Sequence, residues 1–274
     1  MSRGNRKSKI FVSHEDRLDF LELLSAAKER FRVLWRAFVL MNTHYHLEVE
    51  TPEGNISKVM KFINGVFTQR WNRRHGTTGH VFEGRFKSPL IEDGFYARGV
   101  LRYIALNPVA ANYVTHAAEW PWSSHRATAG LVAAPEFLDL DWLRRDFDGR
   151  SLQECQRQYQ DFIDHEEHSL MDFGDEIVVG SDEYRSNVRE LIGKTRYQID
   201  VPRSYRALAR PPLGLLFRGL GEDLDQRNRM ILRAQVVYGY SQAEIARALG
   251  VHSNTISKIT SAIKHQRYFV VRVG

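Results

Sequence analysis

The sequence predicts an α+β domain with a mainly antiparallel sheet, followed by an all-α helix-turn-helix domain. Three observations carry this. Alternating or β-branched apolar stretches are joined by turns rather than by regular βαβ crossovers. Segments with apolar residues every three or four positions lie between them. Near the C-terminus, two helical patterns meet at a glycine. A length of 274 residues suits two domains, each burying its own core.

The elements follow in order. From His14 to Phe31, Leu18, Leu21, Leu24, Ala27 and Phe31 recur at helical spacing. Val33 to Met41 is apolar and partly β-branched, so it reads as a strand; Asn42-Thr43 turns, and His44 to Glu50 alternates as a second strand of a hairpin. A second helix spans about Ile56 to Arg74, with Ile56, Met60, Ile63, Phe67 and Trp71 on one face and His75-Gly76 as its end. Val81 to Ile91 is expected to form another hairpin, Asp93 to cap a third helix, and Pro108 to stop it. From Trp120 to Asp200 the pattern is mostly helical, as in Leu152 to His165, and Pro202 to Gly221 reads as a linker. The expected domains are 1–125, an acidic helical extension over 126–200, and a linker with a helix-turn-helix over 201–274.

Composition narrows the class. Apolar residues at 43% and charged ones at 26% exclude long disorder. No apolar run approaches the roughly 18 residues of a membrane span. The single cysteine, Cys155, cannot form an internal disulfide, and no apolar stretch follows the basic segment Met1 to Lys9 as a signal peptide would require. A cytoplasmic protein is expected. The net charge of +6 conceals three blocks: residues 1–112 hold 18 Lys/Arg against 11 Asp/Glu, residues 113–200 hold 9 against 18, and residues 201–274 hold 12 against 4. Two basic modules flanking an acidic segment suggest two contacts with a polyanion, most simply nucleic acid.

The chemistry centres on His44-Tyr45-His46. On a strand, residues two apart share a face, so the two imidazoles stand side by side as potential metal ligands. Alone, the pair reads equally as two histidines on a solvated strand face. Farther on, Tyr103 and Asn107 are four apart and share a helix face. An amide oxygen can complete a metal site begun by two histidines, and a tyrosine one turn away can attack a phosphate held there; by itself Tyr103 also fits a core aromatic.

The surrounding text carries a resemblance. Met41-Asn-Thr-His-Tyr-His46 resembles the His-hydrophobic-His motif of the HUH single-strand endonucleases. Together with Ser2-Arg-Gly-Asn5, Asn72-Arg-Arg-His-Gly76, Gly79-His-Val-Phe-Glu-Gly-Arg-Phe-Lys87, Arg102-Tyr-Ile-Ala-Leu-Asn-Pro-Val109 and Trp120-Pro-Trp-Ser-Ser124, it is similar to the REP-associated tyrosine transposases. That resemblance implies an HUH nuclease fold with a ferredoxin-like sheet. It makes His44 and His46 metal ligands, Asn107 the third ligand position and Tyr103 the nucleophile. Two departures stand out. Asn42-Thr43 replaces the family's Pro-Asn, and Ser2 follows Met1 directly where relatives carry an apolar strand, so the first strand of the sheet is expected to be missing or short.

The implied chemistry suits the residue types. Two neutral imidazoles and an amide leave a divalent ion its full charge, and such ligands suit magnesium or manganese acting on phosphate. Attack by Tyr103 would leave a 5′-phosphotyrosine and a free 3′-hydroxyl. Arg85 and Lys87 are candidates for holding the DNA backbone, or are ordinary surface cations. Arg70, Arg73 and Arg74, interleaved with Trp71, offer charge and stacking to a single strand or hairpin, although Trp71 also fits the core stripe.

The C-terminal module is separate from the resemblance. Ser241-Gln-Ala-Glu244 is a capping box, and Ile245, Ala246, Leu249, Gly250, Val251, Ile256 and Ile259 occupy helix-turn-helix core positions. Ser253, Asn254, Thr255 and Lys258 would face a major groove of duplex DNA. The whole reads as a metal-dependent DNA endonuclease and strand transferase of DNA transposition, nucleoid-associated, with a duplex-reading tail. A DNA-binding transcriptional regulator with a relic catalytic fold is the rival; an HxH metal hydrolase is a third reading, without an acidic ligand cluster nearby. Monomer and dimer both remain open.

Overall fold

A computed structural model describes residues 1–165, 176–194, 207–208, 210–220 and 223–270. These fall in two compact units, Met1–Val179 and Gly180–Gly274. Among the described residues, no helix is long and apolar enough to cross a membrane.

The first unit is α+β, as the sequence predicts. Strand β1 (Ser2–Arg3) is followed by helix α1 (His14–Phe31), strands β2 (Leu34–Leu40) and β3 (His44–Glu50), and helix α2 (Ile56–His75). The sheet order is β1-β3-β2, antiparallel throughout, with Arg3 opposite His44 and Leu40 opposite Tyr45. The first strand of the sheet is therefore present but only two residues long.

Local chemistry sets the ends of α1. Ser13 and Asp16 form a capping box in which each side chain accepts the other's backbone N–H, at 3.2 and 2.9 Å. Arg32, left-handed at φ 53°, ends the helix. The buried stripe is Phe20, Leu23, Leu24 and Ala27, whereas Leu18 is exposed, so the core face is turned slightly from the one the periodicity suggests.

Strand β2 is buried on both faces. Trp35, Phe38 and Leu40 join α1 and α2 in one core; Ala37, Val39 and Met41 join α3 (Phe95–Ala110), α5 (Leu143–Asp146) and α6 (Leu152–His165) in another. A register shift between Trp35 and Ala37 reverses the alternation at Arg36, as a β-bulge does. The outer edge of β2 is not bare. Residues 122–139, which include helix α4 (His125–Thr128), run along it, with Leu40 N–H donating to Trp122, Ser124 N–H to Phe38 and Asp139 N–H to Trp35. Much of the acidic segment thus packs on the sheet, through Trp142, Phe147, Tyr159 and Ile163.

Three expectations need correction. Residues 81–91 do not form a hairpin. The N–H groups of Glu83 and Lys87 donate to Arg3 and Met1, and β4 (Leu90–Ile91), just past the donorless Pro89, pairs in parallel with β5 (Val178–Val179). Asp93 does not cap α3: Gly94 is the N-cap, and the Asp93 carboxylate is drawn to buried Arg36 at 3.1 Å. Nor does Pro108 stop that helix, which runs to Ala110. In the last turn the ring costs one bond, while Tyr113 N–H caps the Pro108 carbonyl and Ala111 N–H caps that of Asn107.

The second unit is helical where described: α7 (Asp182–Lys194), α8 (Leu213–Leu216), α9 (Leu224–Val236), α10 (Gln242–Leu249) and α11 (Ser253–Val270). Ile231, Ala234, Tyr240, Ile245, Ala246 and Ile256 form its core. Gly250, at φ 65°, makes the left-handed turn between α10 and α11 that other residues resist. Of the expected linker, residues 201–206, 209 and 221 lie outside the described residues, while Leu213, Leu216 and Phe217 pack on this core. Of the acidic segment, residues 166–175 and 195–200 also lie outside them.

Two predictions follow from these ends and turns. A Cβ at Gly4 would meet Ser8 O at 2.1 Å and Ile10 Cγ2 at 2.8 Å. Gly4→Ala is expected to destabilise the first unit by ~1–3 kcal/mol in urea unfolding, the usual cost of overpacking. At α10, hydrogen bonds from Ser241 and the charge of Arg210 hold the Glu244 carboxyl at about 2, below its ordinary 4.5. A depressed folded value means stability fully present above pH 4.5 and lost as pH falls toward 2. Amide-exchange protection of residues 242–249 is expected to fall through that window, and Ser241→Ala to remove ~1 kcal/mol at neutral pH.

Candidate active site

Period-two alternation divides β3. Tyr45, Leu47 and Val49 point into the core shared with α1 and α2. His44, His46, Glu48 and Glu50 point the other way, toward α3. The partition is enforced at Tyr45, which is fully buried against Phe20 at 4.6 Å between ring centroids. Its hydroxyl lies 3.0 Å from Ser2 Oγ and donates to Asn64 Oδ1 at 2.5 Å. Burial pushes that phenol far above its ordinary range, so it stays neutral.

On the opposite face, the two imidazoles stand 5.1 Å apart at 85°. Tyr103 comes down from α3 to meet them, its ring 5.2 Å from that of His46 at 82°. One turn on, the nearly buried Asn107 hydrogen-bonds His44 through its side chain. Two elements distant in sequence thus bring four predicted residues together.

Electrostatics keep the pair neutral. Burial, then Arg3, lower the His44 value, with the Asn107 hydrogen bond working against them. Burial, then the neighbouring His44, hold His46 well below its ordinary value. Neutral imidazoles offer lone pairs, which a metal requires. Thr43 Oγ1 and His44 Nδ1 share a hydrogen bond of 3.0 Å, fixing the ring's rotation. Among the described residues no group of three or more His, Cys, Asp or Glu side chains is arranged to hold a metal. The donor atoms that this face offers are those of two imidazoles and the Asn107 amide, ligand types that divalent cations accept.

The remaining predicted residues are more dispersed. Arg85 and Lys87 are exposed on the segment beyond β1, which lies between them and the histidine strand. On α2, Arg74 pairs with Asp16 and Asp19, and Arg70 with Glu22 and Asp19, so both tie α2 to α1; Arg73 is exposed. In the second unit, Asn254, Thr255 and Lys258 are exposed on α11 and Ser253 is half-buried.

Three participants escaped sequence reasoning. Thr43 was singled out only as part of a turn that departs from the family's Pro-Asn, yet it orients His44. Arg3 pairs with His44 across the sheet, a register invisible without the fold. Glu48 extends the histidine face, and its carboxyl is pushed up to about 8 by burial despite Arg36 at 3.6 Å. The period-two spacing from His46 was the available signal.

Residues 1–107 match the family model described as transposase IS200 like. The matched stretch contains His44, His46 and Tyr103 and ends on Asn107. Over this stretch, less than half of its length, the chain is similar to that transposase family. No curated protein and no solved structure matches the sequence.

Tyr45→Phe tests the partition of β3. It would strip Asn64 of a buried partner, and urea unfolding is expected to show a loss of ~1–3 kcal/mol.

Proposed function

We propose that this protein is a metal-dependent DNA endonuclease and strand transferase of the REP-associated tyrosine transposase type, acting on single-stranded or hairpin DNA. The observation that carries the reading is the convergence of the Tyr103 ring on His46 with Asn107 on His44. His44, His46 and Asn107 would hold magnesium or manganese, which when bound supplies Lewis-acid polarisation of the scissile phosphate. The chain's own residues do the rest.

Tyr103 is the nucleophile. Its phenolic oxygen forms a bond to phosphorus as the bond from phosphorus to the 3′-oxygen breaks. The phenolic proton is lost and the departing 3′-oxygen gains one, leaving a 5′-phosphotyrosine and a free 3′-hydroxyl. Reversal on a second 3′-hydroxyl rejoins DNA without ATP, because a phenolate leaves readily. Thr43 keeps the His44 ring in position throughout. Arg85, Lys87 and Arg73 contribute charge toward the DNA backbone, with Arg70 and Arg74 adding to the field of α2 while holding it to α1.

The second unit reads duplex DNA as a helix-turn-helix. Its support is the sequence α10, left-handed Gly250, α11, with Asn254, Thr255 and Lys258 exposed at the start of the second helix. A hairpin stem or a flanking repeat would supply that duplex.

The test is incubation with a labelled hairpin oligonucleotide and manganese, followed by denaturing electrophoresis. A denaturant-resistant protein–DNA adduct is expected, falling to background in Tyr103→Phe. Duplex binding without an adduct under any divalent metal would favour a DNA-binding regulator instead. Thr43→Val is expected to weaken manganese binding about tenfold by calorimetry, the usual effect of losing a ligand's orienting partner.

A further inference from the structure

Outside the histidine site, one cavity joins unusual backbone to unused polar groups. It measures about 220 Å³ and lies between the loop 5–9 and the end of α2 with the loop that follows it, 71–81. This is smaller than the roughly 300–1,000 Å³ of pockets for drug-sized ligands. It has room for a single planar group.

Its walls combine one aromatic surface with cations. Trp71 lines it, with one ring contact to His75 at 4.5 Å between centroids. The indole N–H of Trp71 is buried and meets no acceptor among the described residues, an orphan donor that calls for a partner. Arg6 and Lys9 contribute the charge; no carboxylate lines the cavity, and neither cation forms an ion pair among the described residues.

The loop is held in place at a cost. Arg6 and Lys7 are both left-handed, at φ 53° and 60°, a conformation uncommon for side-chain-bearing residues. Gly4 at its base admits no Cβ, Lys7 N–H donates back to Gly4 at 3.0 Å, and Asn5 N–H donates across to Val81 at 2.8 Å. On the far side, Asn72 clasps its own loop by donating to Gly79 and accepting from Thr77. The cavity is thus preformed.

It is also joined to the candidate active site. Gly4 N–H donates to the Thr43 carbonyl, and Thr43 in turn holds His44. Asn5 follows two residues after Arg3, the partner of His44 across the sheet. The cavity lies on the α2 side of the sheet and the imidazoles on the α3 side, so a DNA strand that reaches both would pass round the end of the sheet at Gly4 and Thr43.

We propose that this cavity binds one unpaired base of the single-stranded DNA flanking the cut, against Trp71, with Arg6 and Lys9 on the adjoining phosphates. The proposal rests on the DNA-cutting reading above. Aromatic stacking with basic side chains is the chemistry that holds single strands. The pocket would fix which phosphate reaches Tyr103.

The test uses the full chain without divalent metal and a series of hairpin oligonucleotides, each with one abasic site in its unpaired flank, read by fluorescence anisotropy. One abasic position is expected to weaken wild-type binding by roughly 5- to 100-fold. That penalty is expected to shrink several-fold in Trp71→Leu. Because Trp71 is partly buried, Arg6→Ala/Lys9→Ala provides a second arm on exposed residues: its salt dependence is expected to fall by about one unit per lost phosphate contact.

An equal abasic penalty in wild type and Trp71→Leu, with an unchanged salt slope in the double variant, would overturn the proposal. So would tight binding of a free deoxymononucleotide with no abasic position mattering. If the wild type forms the manganese-dependent adduct while these tests fail, the pocket assignment alone is wrong. If the wild type neither binds single strands nor forms the adduct, the DNA-cutting reading falls and takes the pocket with it.

Discussion

The structure of the first unit depends on the burial of one residue between two histidines. Tyr45 occupies the core side of β3, and its neutral phenol is tied to Ser2 and Asn64. A slip of one residue would turn a strongly polar imidazole pair into the core and a tyrosine out, so the register is set with little tolerance. Because Tyr45 is fixed, His44 and His46 must face α3, and the helix that bears Tyr103 and Asn107 is the element they meet. The same tie reaches β1 through Ser2, which explains how a two-residue edge strand holds its place.

The opposite face of the sheet is organised around a second buried polar group. Arg36, re-aimed by the bulge in β2, stacks on Trp142 and contacts Glu48, Asp93 and Asp146. These carboxylates come from β3, the entry to α3 and the end of α5. Buried ion clusters add little net stability but penalise misplacement severely, since a lost partner leaves a charge without compensation. The buried partners Glu48 and Asp146 thus tie β2 to β3 and α5, whereas Asp93, at the entry to α3, is exposed; residues beyond the matched stretch 1–107 take part through Asp146.

Legibility in the sequence followed the range of the interactions involved. The span of α1 could be read from apolar residues at helical spacing, and the turn at Gly250 because its left-handed backbone restricts the residue type. The hairpin β2–β3 was legible from an apolar, partly β-branched run, the turn at Asn42-Thr43 and the alternation of His44 to Glu50. Residues 81–91 were not, because their hydrogen-bond partners lie at the chain's start and near residue 178, beyond the reach of any local pattern. The same holds for Asp93, whose attraction to Arg36 prevailed over capping. Of the site, the spacing His44-Tyr45-His46 and the turn from Tyr103 to Asn107 were visible separately. That they meet, and that Thr43 and Arg3 attend His44, are properties of the fold. Arg70 and Arg74 illustrate the converse: a basic run on a helix shows charge but not the carboxylates of α1 that face it.

The central claim is that His44, His46, Tyr103 and Asn107 work as one centre with Tyr103 as its nucleophile. Proteolysis of the covalent product followed by mass spectrometry tests it most directly. The account predicts a single peptide carrying a 5′-linked nucleotide on Tyr103. A nucleotide on Tyr96 or Tyr113, on another residue, or on no peptide while cleavage still proceeds, would contradict it.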